Sequence, residues 1–305
     1  MKNVGMKPDT LRSAHAAARF YAPADCLERI AARDTEKGDP QASARIAGIL
    51  AAKRTDELLP LCHPLPIHAA EVHFSIEADH VAIEAEVHTI GPTGVEMEAL
   101  TAASMAALTL YDMLKPYAEP EALSIGNTHL LDKTGGKSHY SRRLEAPLAA
   151  TVVMVSDPVF DGHKPDTAGR QVADGLIGAG FDPVDYRLLG DDPQAVGETV
   201  DAAVAAHTPL IVTVGGTGIG PKDKVVETVE PKLTTPMPGL METARAFGQK
   251  RSPYAVLSRG VSGFIGNSLV LTFPGSRTGS EETLAALLPS IVHILEIHQR
   301  FASGR

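Results

Sequence analysis

Carboxylates at both ends of one apolar stretch are the first sign of chemistry. In residues 93–115, TGVEMEALTAASMAALTLYDMLK, Glu96 and Glu98 stand at the start and Asp112 and Lys115 at the finish. Leu100, Ala103, Ala107, Leu110 and Leu114 recur at steps of three and four, the spacing of one apolar stripe on a helix that should be buried. Glu96, Glu98 and Lys115 suit the helix dipole where they are, whereas Asp112 is an acid at the negative end. Asp112 and Lys115 are three apart and therefore neighbours. At about 100° per residue Glu98 and Asp112 face the same side within roughly 40°, but at about 1.5 Å per residue they lie about 21 Å apart along the axis. One small ligand cannot reach both on a single straight helix. A two-fold pair of antiparallel copies would set the head of one beside the tail of the other, so the expected site is shared between two chains.

Other residue types extend this picture. In residues 58–66, LLPLCHPLP, prolines on either side of Cys62 and His63 force a stiff, extended segment, and a histidine held that way is a candidate acid, base or ligand-holder. Lys37 lies in the turn EKGDPQ, and Lys133 and Lys137 flank Gly135 and Gly136 in DKTGGKS. Basic groups at loops and element ends of an acidic chain suggest an anionic, phosphorylated small substrate; exposed lysines at such ends are also ordinary. In the second half, GGTGIGPKD (215–223) follows directly on the apolar run PLIVTV. Glycines after a buried parallel strand let backbone N–H groups approach an anion at the edge where such sheets bind ligands. The motif is neither G-x-G-x-x-G nor a P-loop, so on its own a tight turn explains it equally well.

The elements that must carry these groups divide the chain. Residues 9–20 read as a short helix, with Leu11, Ala14 and Ala18 at helical spacing and Asp9 as its cap. Residues 26–32 and 41–54 read as two more, the first capped by Asp25, the second with Ile46, Ile49 and Leu50 inward. Residues 72–76 and 81–87 alternate as a hairpin, and 124–131 as a last strand. This is a helices-on-one-face α+β plan. Residues 138–147, SHYSRRLEAP, lose all periodicity and mark the boundary. The expected division is a first domain at 1–140, a linker at 141–148 and a second domain at 149–305. After the linker, strand-like runs at 151–156, 184–189 and 209–214 alternate with helical ones at 166–178 and 193–206, the pattern of a parallel sheet covered on both faces.

Composition sets outer limits. With 305 residues the chain can form two cores. A formal net charge of −9 argues against a nucleic-acid partner. No apolar run suits a membrane span or a signal peptide. Two cysteines, Cys26 and Cys62, make neither a metal finger nor a disulfide scaffold, so a reducing cytoplasmic setting is expected.

KGD, ARIAGILAAKRT, LLPLCHPLP, TGVEMEALTAASMAALTLYDMLK and LLDKTGGKS together resemble cyclic pyranopterin monophosphate synthase of molybdenum cofactor biosynthesis, over roughly residues 3–138. The resemblance implies a ferredoxin-like fold and a hexamer built from dimers, with the active site at the dimer interface. The implied reaction turns 3′,8-cyclo-7,8-dihydro-GTP into cyclic pyranopterin monophosphate and pyrophosphate, with no cofactor. By motif, Asp112 would be the catalytic acid–base group, with Lys115, Lys37 and His63 as partners. Leu61, Cys62, His63, Met97 and Glu98 would contact the substrate, and Lys133 and Lys137 would hold its triphosphate. Pro40 and Gln41 depart from the small apolar residues usual after KGD.

SDPVFDGHKPDTAG, GDD, IVTVGGTGIGPKD, MPGLMETAR and SRGVSGFIGNSLVLTFPGS resemble the molybdopterin-binding adenylyltransferase family, over roughly residues 149–301. That likeness implies a three-layer α/β sandwich, trimers, and Mg-ATP-dependent adenylylation of molybdopterin. Asp191 and Asp223 would sit at the catalytic centre, with magnesium near them. Gly215, Gly216, Thr217 and Gly218 would hold phosphate, and Pro274, Gly275 and Ser276 would line the pterin pocket. Here Pro221-Lys222-Asp223-Lys224-Val225-Val226 stands where the family commonly reads Pro-Arg-Asp-Val-Thr-Pro. The alternative is therefore a non-catalytic pterin-binding or oligomerisation module.

Overall fold

The computed structural model describes residues 1–136, 140 and 143–302. The chain forms two compact units, Met1–Tyr140 and Ser141–Arg305. Lys137 lies outside the described residues, as does part of the stretch expected as linker. Leu144 and Leu148, within that stretch, are buried in the core of the second unit.

The first unit runs β1 (Thr10–Tyr21), α1 (Ala24–Ala32), α2 (Pro40–Lys53), α3 (Thr55–Leu58), β2 (Ala69–Ile76), β3 (His80–Gly91), α4 (Glu96–Leu114) and β4 (Ser124–Thr134). The sheet order is β2-β3-β1-β4, and every neighbouring pair is antiparallel. This is the ferredoxin-like arrangement. The helix expected at 9–20 is instead β1, a central strand. Its alanines fit a helix by propensity, but its buried residues, Ala14, Ala16, Ala18 and Phe20, follow a period of two. Small side chains are needed there because α4, whose Ala99, Ala102, Ala103, Ala106 and Ala107 are all fully buried, packs on β1 in the same core. Tertiary packing overrides alanine's helix preference.

A second correction concerns α2. Ile46 and Leu50 point outward, and the inward face is Ala44, Gly48, Ala51 and Ala52. A Cβ at Gly48 would stand 2.9 Å from the Ala102 carbonyl oxygen and 3.0 Å from Val72 Cγ2, so the glycine sets how closely α2 approaches α4. We expect Gly48→Leu to destabilise the first unit by about 1–3 kcal/mol, read as a lowered calorimetric transition of the full chain. Asp25 lies in the first turn of α1 rather than at its N-cap, which is Pro23. Lys133 lies at the end of β4 rather than in the turn that follows.

The second unit runs β5 (Leu148–Val155), α5 (Asp157–Phe160), α6 (Gly169–Gly178), β6 (Phe181–Leu189), α7 (Pro193–Ala205), β7 (Leu210–Val214), α8 (Val225–Val229), β8 (Thr235–Pro236), α9 (Pro238–Gln249), β9 (Ser262–Ile265), β10 (Ser268–Phe273) and α10 (Arg277–Ala302). The sheet order is β6-β5-β7-β10-β9-β8. The first four strands are parallel and the last two antiparallel. Alternate residues of one strand serve different cores. Val152 and Met154 of β5 meet α6, α9 and α10, whereas Val153 and Val155 meet α7 and α8. The continuous apolar runs in the sequence thus follow from a sheet buried on both faces, in a three-layer α/β sandwich.

Candidate functional site

Local chemistry places the first cluster. Gly38 takes a φ of +97°, and the Thr35 hydroxyl donates to its carbonyl at 2.8 Å. Asp39 then caps α2, accepting from the Gln41 and Ala42 backbone N–H groups at 2.9 and 3.0 Å. Tyr117, just beyond α4, accepts at its hydroxyl from the Glu36 N–H at 2.7 Å, tying this turn to the end of the central helix. Lys37 is thereby aimed at Asp112. Its ammonium lies 2.6 Å from Asp112 Oδ2, and Lys115, one turn on, lies 2.8 Å from Oδ1. Lys115 first, and Lys37 next, hold the Asp112 carboxyl down from an ordinary 3.8 to about 2. Asp112 is half exposed, so the ammonium groups and not burial set its ionisation. Lys115 is raised in turn by Asp112.

The second cluster sits at the other end of α4. Glu98 is only 4% exposed, and burial, with Glu96 and Asp56 nearby, raises its carboxyl. Burial and the charge of Glu98 likewise raise the Cys62 thiol. His63 Nε2 is 2.7 Å from the Lys2 carbonyl oxygen, so the N-terminal arm reaches this histidine. Leu61 and Met97 are both exposed. Lys133 pairs with Glu96 at 2.7 Å. Burial pushes Glu96 up, but the lysine outweighs it and the net shift is down. Asp112, Lys115 and Lys37 therefore form one group, and Cys62, Glu98 and Glu96 with Lys133 gather at the opposite end of one unbroken helix.

The second unit holds a built cavity of about 690 Å³. Its floor is the C-terminal edge of all four parallel strands: Met154 to Ser156 at the end of β5, Asp191 after β6, 215–218 after β7, and 274–276 after β10. All nine residues expected for this half line it. Strand order reverses at β5, so the cavity lies at the topological switch point, where open α/β sheets bind ligands. Gly215 and Gly216 take φ values of +110° and +63°. A Cβ at Gly215 would collide with the Val155 carbonyl, and one at Gly275 would stand 3.0 Å from the Gly215 Cα. Only glycines allow these turns to meet.

Asp223 Oδ2 accepts from the Gly220 N–H at 2.8 Å and closes the loop. Asp157 and Asp191 exchange bonds: Asp191 N–H donates to Asp157 Oδ1 at 2.7 Å, and Asp157 N–H to Asp191 Oδ2 at 3.2 Å. Lys222 pairs with Asp157 at 2.5 Å, which lowers that carboxyl. Asp157 thus joins the loops after β5, β6 and β7. The arginine absent from position 222 has a counterpart from another part of the chain. Arg259 donates to the Gly218 and Asp223 carbonyl oxygens at 2.8 and 3.0 Å and pairs with Glu227 at 2.7 Å. Sequence reasoning gave no role to Arg259, Asp157, Arg245 or Glu282. Arg259 stood in the quoted segment SRGVSG, but nothing in its spacing pointed to the loop it braces.

Among the described residues no group of three or more His, Cys, Asp or Glu could hold a metal ion, and no helix is long and apolar enough to cross a membrane.

Each of the two units matches a family of its own. Residues 1–136 match the MoaC family, and residues 151–293 match the family described as probable molybdopterin binding domain. The bifunctional molybdenum cofactor biosynthesis protein of Chlorobaculum tepidum is 39% identical over 293 residues, covering 96% of this chain and 92% of its own. The cyclic pyranopterin monophosphate synthase of Heliobacterium modesticaldum is 49% identical over 145 residues, covering 47% of this chain and 90% of its own. The crystal structure of the molybdopterin biosynthesis enzyme MoaB from Thermus thermophilus is 36% identical, covering 50% of this chain and 96% of that one, with a TM-score of 0.47. The chain belongs to the family of bifunctional molybdenum cofactor biosynthesis proteins.

Proposed function

We propose that the first unit converts 3′,8-cyclo-7,8-dihydro-GTP into cyclic pyranopterin monophosphate and pyrophosphate, at a site completed by a second copy of the chain. The observation that carries this reading is the placement of two charged clusters at opposite ends of α4. In an antiparallel pair of α4 helices, Asp112, Lys115 and Lys37 of one copy meet His63, Cys62, Met97 and Glu98 of the other. A hexamer built from such dimers fits the same arrangement. Ring opening and reclosure need proton transfers, and loss of pyrophosphate needs positive charge on the leaving oxygens. Asp112, as a carboxylate, orients the two ammonium groups. Lys37 and Lys115 meet the developing phosphate charge, and either can give a proton to the leaving oxygen. Covering this cluster with a second copy would raise the basicity of Asp112 by burial, which suits it to take a proton back. Lys133 would exchange Glu96 for substrate phosphate, and Lys137 would bind the same phosphates.

The test is mixed assembly. Asp112→Ala and His63→Ala chains, each inactive alone, are unfolded together, refolded and assayed. Random pairing gives one intact site per mixed dimer, so about a quarter of wild-type activity returns if the site is shared. No recovery beyond either parent places all groups in one chain and defeats the reading.

For the second unit, the glycine loop and two carboxylates on one cavity favour adenylyl transfer. A molybdopterin phosphate oxygen would attack the α-phosphorus of ATP, and pyrophosphate would leave as that P–O bond breaks. Asp191 and Asp223 suit magnesium, which binds one or two carboxylates together with substrate phosphates rather than a full protein cage. Bound there, the ion would neutralise phosphate charge. The glycine-loop N–H groups would orient the triphosphate, and Pro274, Gly275 and Ser276 would border the pterin.

A further inference from the structure

The cavity of the second unit holds a carboxylate that the adenylyl-transfer chemistry does not use. Glu282, on the second turn of α10, lines the cavity and is only 8% exposed. Among the described residues no donor hydrogen-bonds its side chain and no cation pairs with it. The arginine that lines the same cavity is engaged elsewhere: Arg245 of α9 donates to the Ser258 and Gly260 carbonyl oxygens at 3.4 and 3.2 Å. Gly248 of α9 passes beside the carboxylate: a Cβ there would stand 2.9 Å from the Ala255 Cβ and 3.6 Å from Glu282 Oε2, so the backbone leaves this side of Glu282 without a polar group. A buried carboxyl group without a hydrogen-bond partner is costly, and this one borders the cavity.

Two carboxylate oxygens side by side accept two parallel N–H bonds, as they do from a guanidinium. A 2-amino-4-oxo pterin ring offers such a pair on one edge, the ring N3–H and the 2-amino group. The neighbouring walls, Met241, Ala244 and Leu257, are apolar and suit the faces of a flat ring. The glycine loop, with Asp223, provides for phosphate on the strand-end side of the same cavity. We propose that Glu282 is the specificity-determining residue of this site, reading the 2-amino-4-oxo edge of a pterin through a pair of N–H···carboxylate bonds. This rests on the pterin-binding reading of the second unit and adds the group that selects the ring.

The experiment compares a fluorescent pterin with the matching lumazine, whose 2-oxo group replaces the 2-amino donor by an acceptor. Both are titrated into the full chain by fluorescence, with ATP binding and thermal melting followed in parallel. Wild type should prefer the pterin roughly 10–100-fold, the range for a bond to a charged group. Glu282→Gln keeps the shape but carries both a donor and an acceptor, so its preference should fall to within about threefold, with ATP affinity unchanged and melting unchanged or raised. A Glu282→Gln chain that still prefers pterin as strongly as wild type overturns the assignment alone. A wild type that binds neither ring overturns the pterin reading, and this inference with it.

Discussion

Asp112→Ala should lower turnover of 3′,8-cyclo-7,8-dihydro-GTP by roughly 10²–10⁴-fold, the range for losing a positioned acid–base group, while sedimentation and melting stay close to wild type. The side chain is half exposed in the single chain and supports no core, so stability has little reason to change. Its loss removes the anion that aims Lys37 and Lys115, leaving two like charges side by side. Asp112→Asn is the sharper variant. It keeps the shape and an acceptor oxygen but not the charge, so it should recover little activity. The ionisation itself is measurable. A carboxyl lowered to about 2 should titrate by NMR well below its ordinary 3.8, and Lys115→Ala should move the midpoint up by more than Lys37→Ala. A depressed carboxyl contributes its pairing energy above its unfolded value, and that contribution disappears as pH falls through the folded value. The contribution of the cluster to stability should therefore be complete above about pH 4 and be lost between there and about 2, where the carboxyl itself takes up its proton. Full turnover by Asp112→Asn, or a titration at the ordinary value, would contradict this account.

The separation of the two clusters is legible in the sequence because it needs only residue spacing: fourteen positions of α-helix cannot be folded into one pocket. How each end is built is not legible there. The KGD turn reaches Asp112 through a bond from Glu36 to Tyr117, and those residues are eighty-one positions apart. The helical reading of β1 fails for the same reason. Leu11, Ala14 and Ala18 satisfy a helical spacing, and only the alanine face of α4 shows why Ala14, Ala16 and Ala18 are small strand residues instead. Ile46 and Leu50 mislead in the converse way. Large apolar side chains read as inward, but at the α2–α4 contact the inward positions had to be alanine and glycine, and the large ones went to the surface. In the second unit the alternation of strands and helices was legible because a doubly covered sheet writes continuous apolar runs. The cavity floor was legible because glycine turns follow strands directly. Its other walls, with Arg245, Glu282 and the bracing Arg259, come from helices and loops brought in by tertiary structure, and no local pattern announces them.

The second large effect concerns Asp223. In the presence of magnesium and ATP, wild-type protein should transfer AMP to molybdopterin, and Asp223→Ala should lose roughly 10²–10³-fold of that activity, the scale for a group that stabilises charge at a reacting centre. Two separable contributions lead to this figure. Asp223 supplies carboxylate oxygen where magnesium would meet phosphate, and it closes the glycine loop through the Gly220 N–H. Asp223→Asn retains an acceptor for that N–H but lacks the charge. If the loop contact dominates, Asn should restore most of the lost activity. If the charge dominates, Asn should resemble Ala, with ATP affinity weakened only where magnesium is present. Lys222 offers a further division. It replaces an arginine and is held by Asp157 at 2.5 Å, whereas Arg259 braces the loop from the side. Lys222→Arg should then leave loop geometry unchanged and alter the nucleotide KM alone, while Arg259→Ala should reduce kcat by loosening the segment that carries Asp223. A wild-type chain that binds molybdopterin but transfers no AMP under any magnesium concentration would make this half a binding module, and the effect of Asp223→Ala would then be confined to affinity.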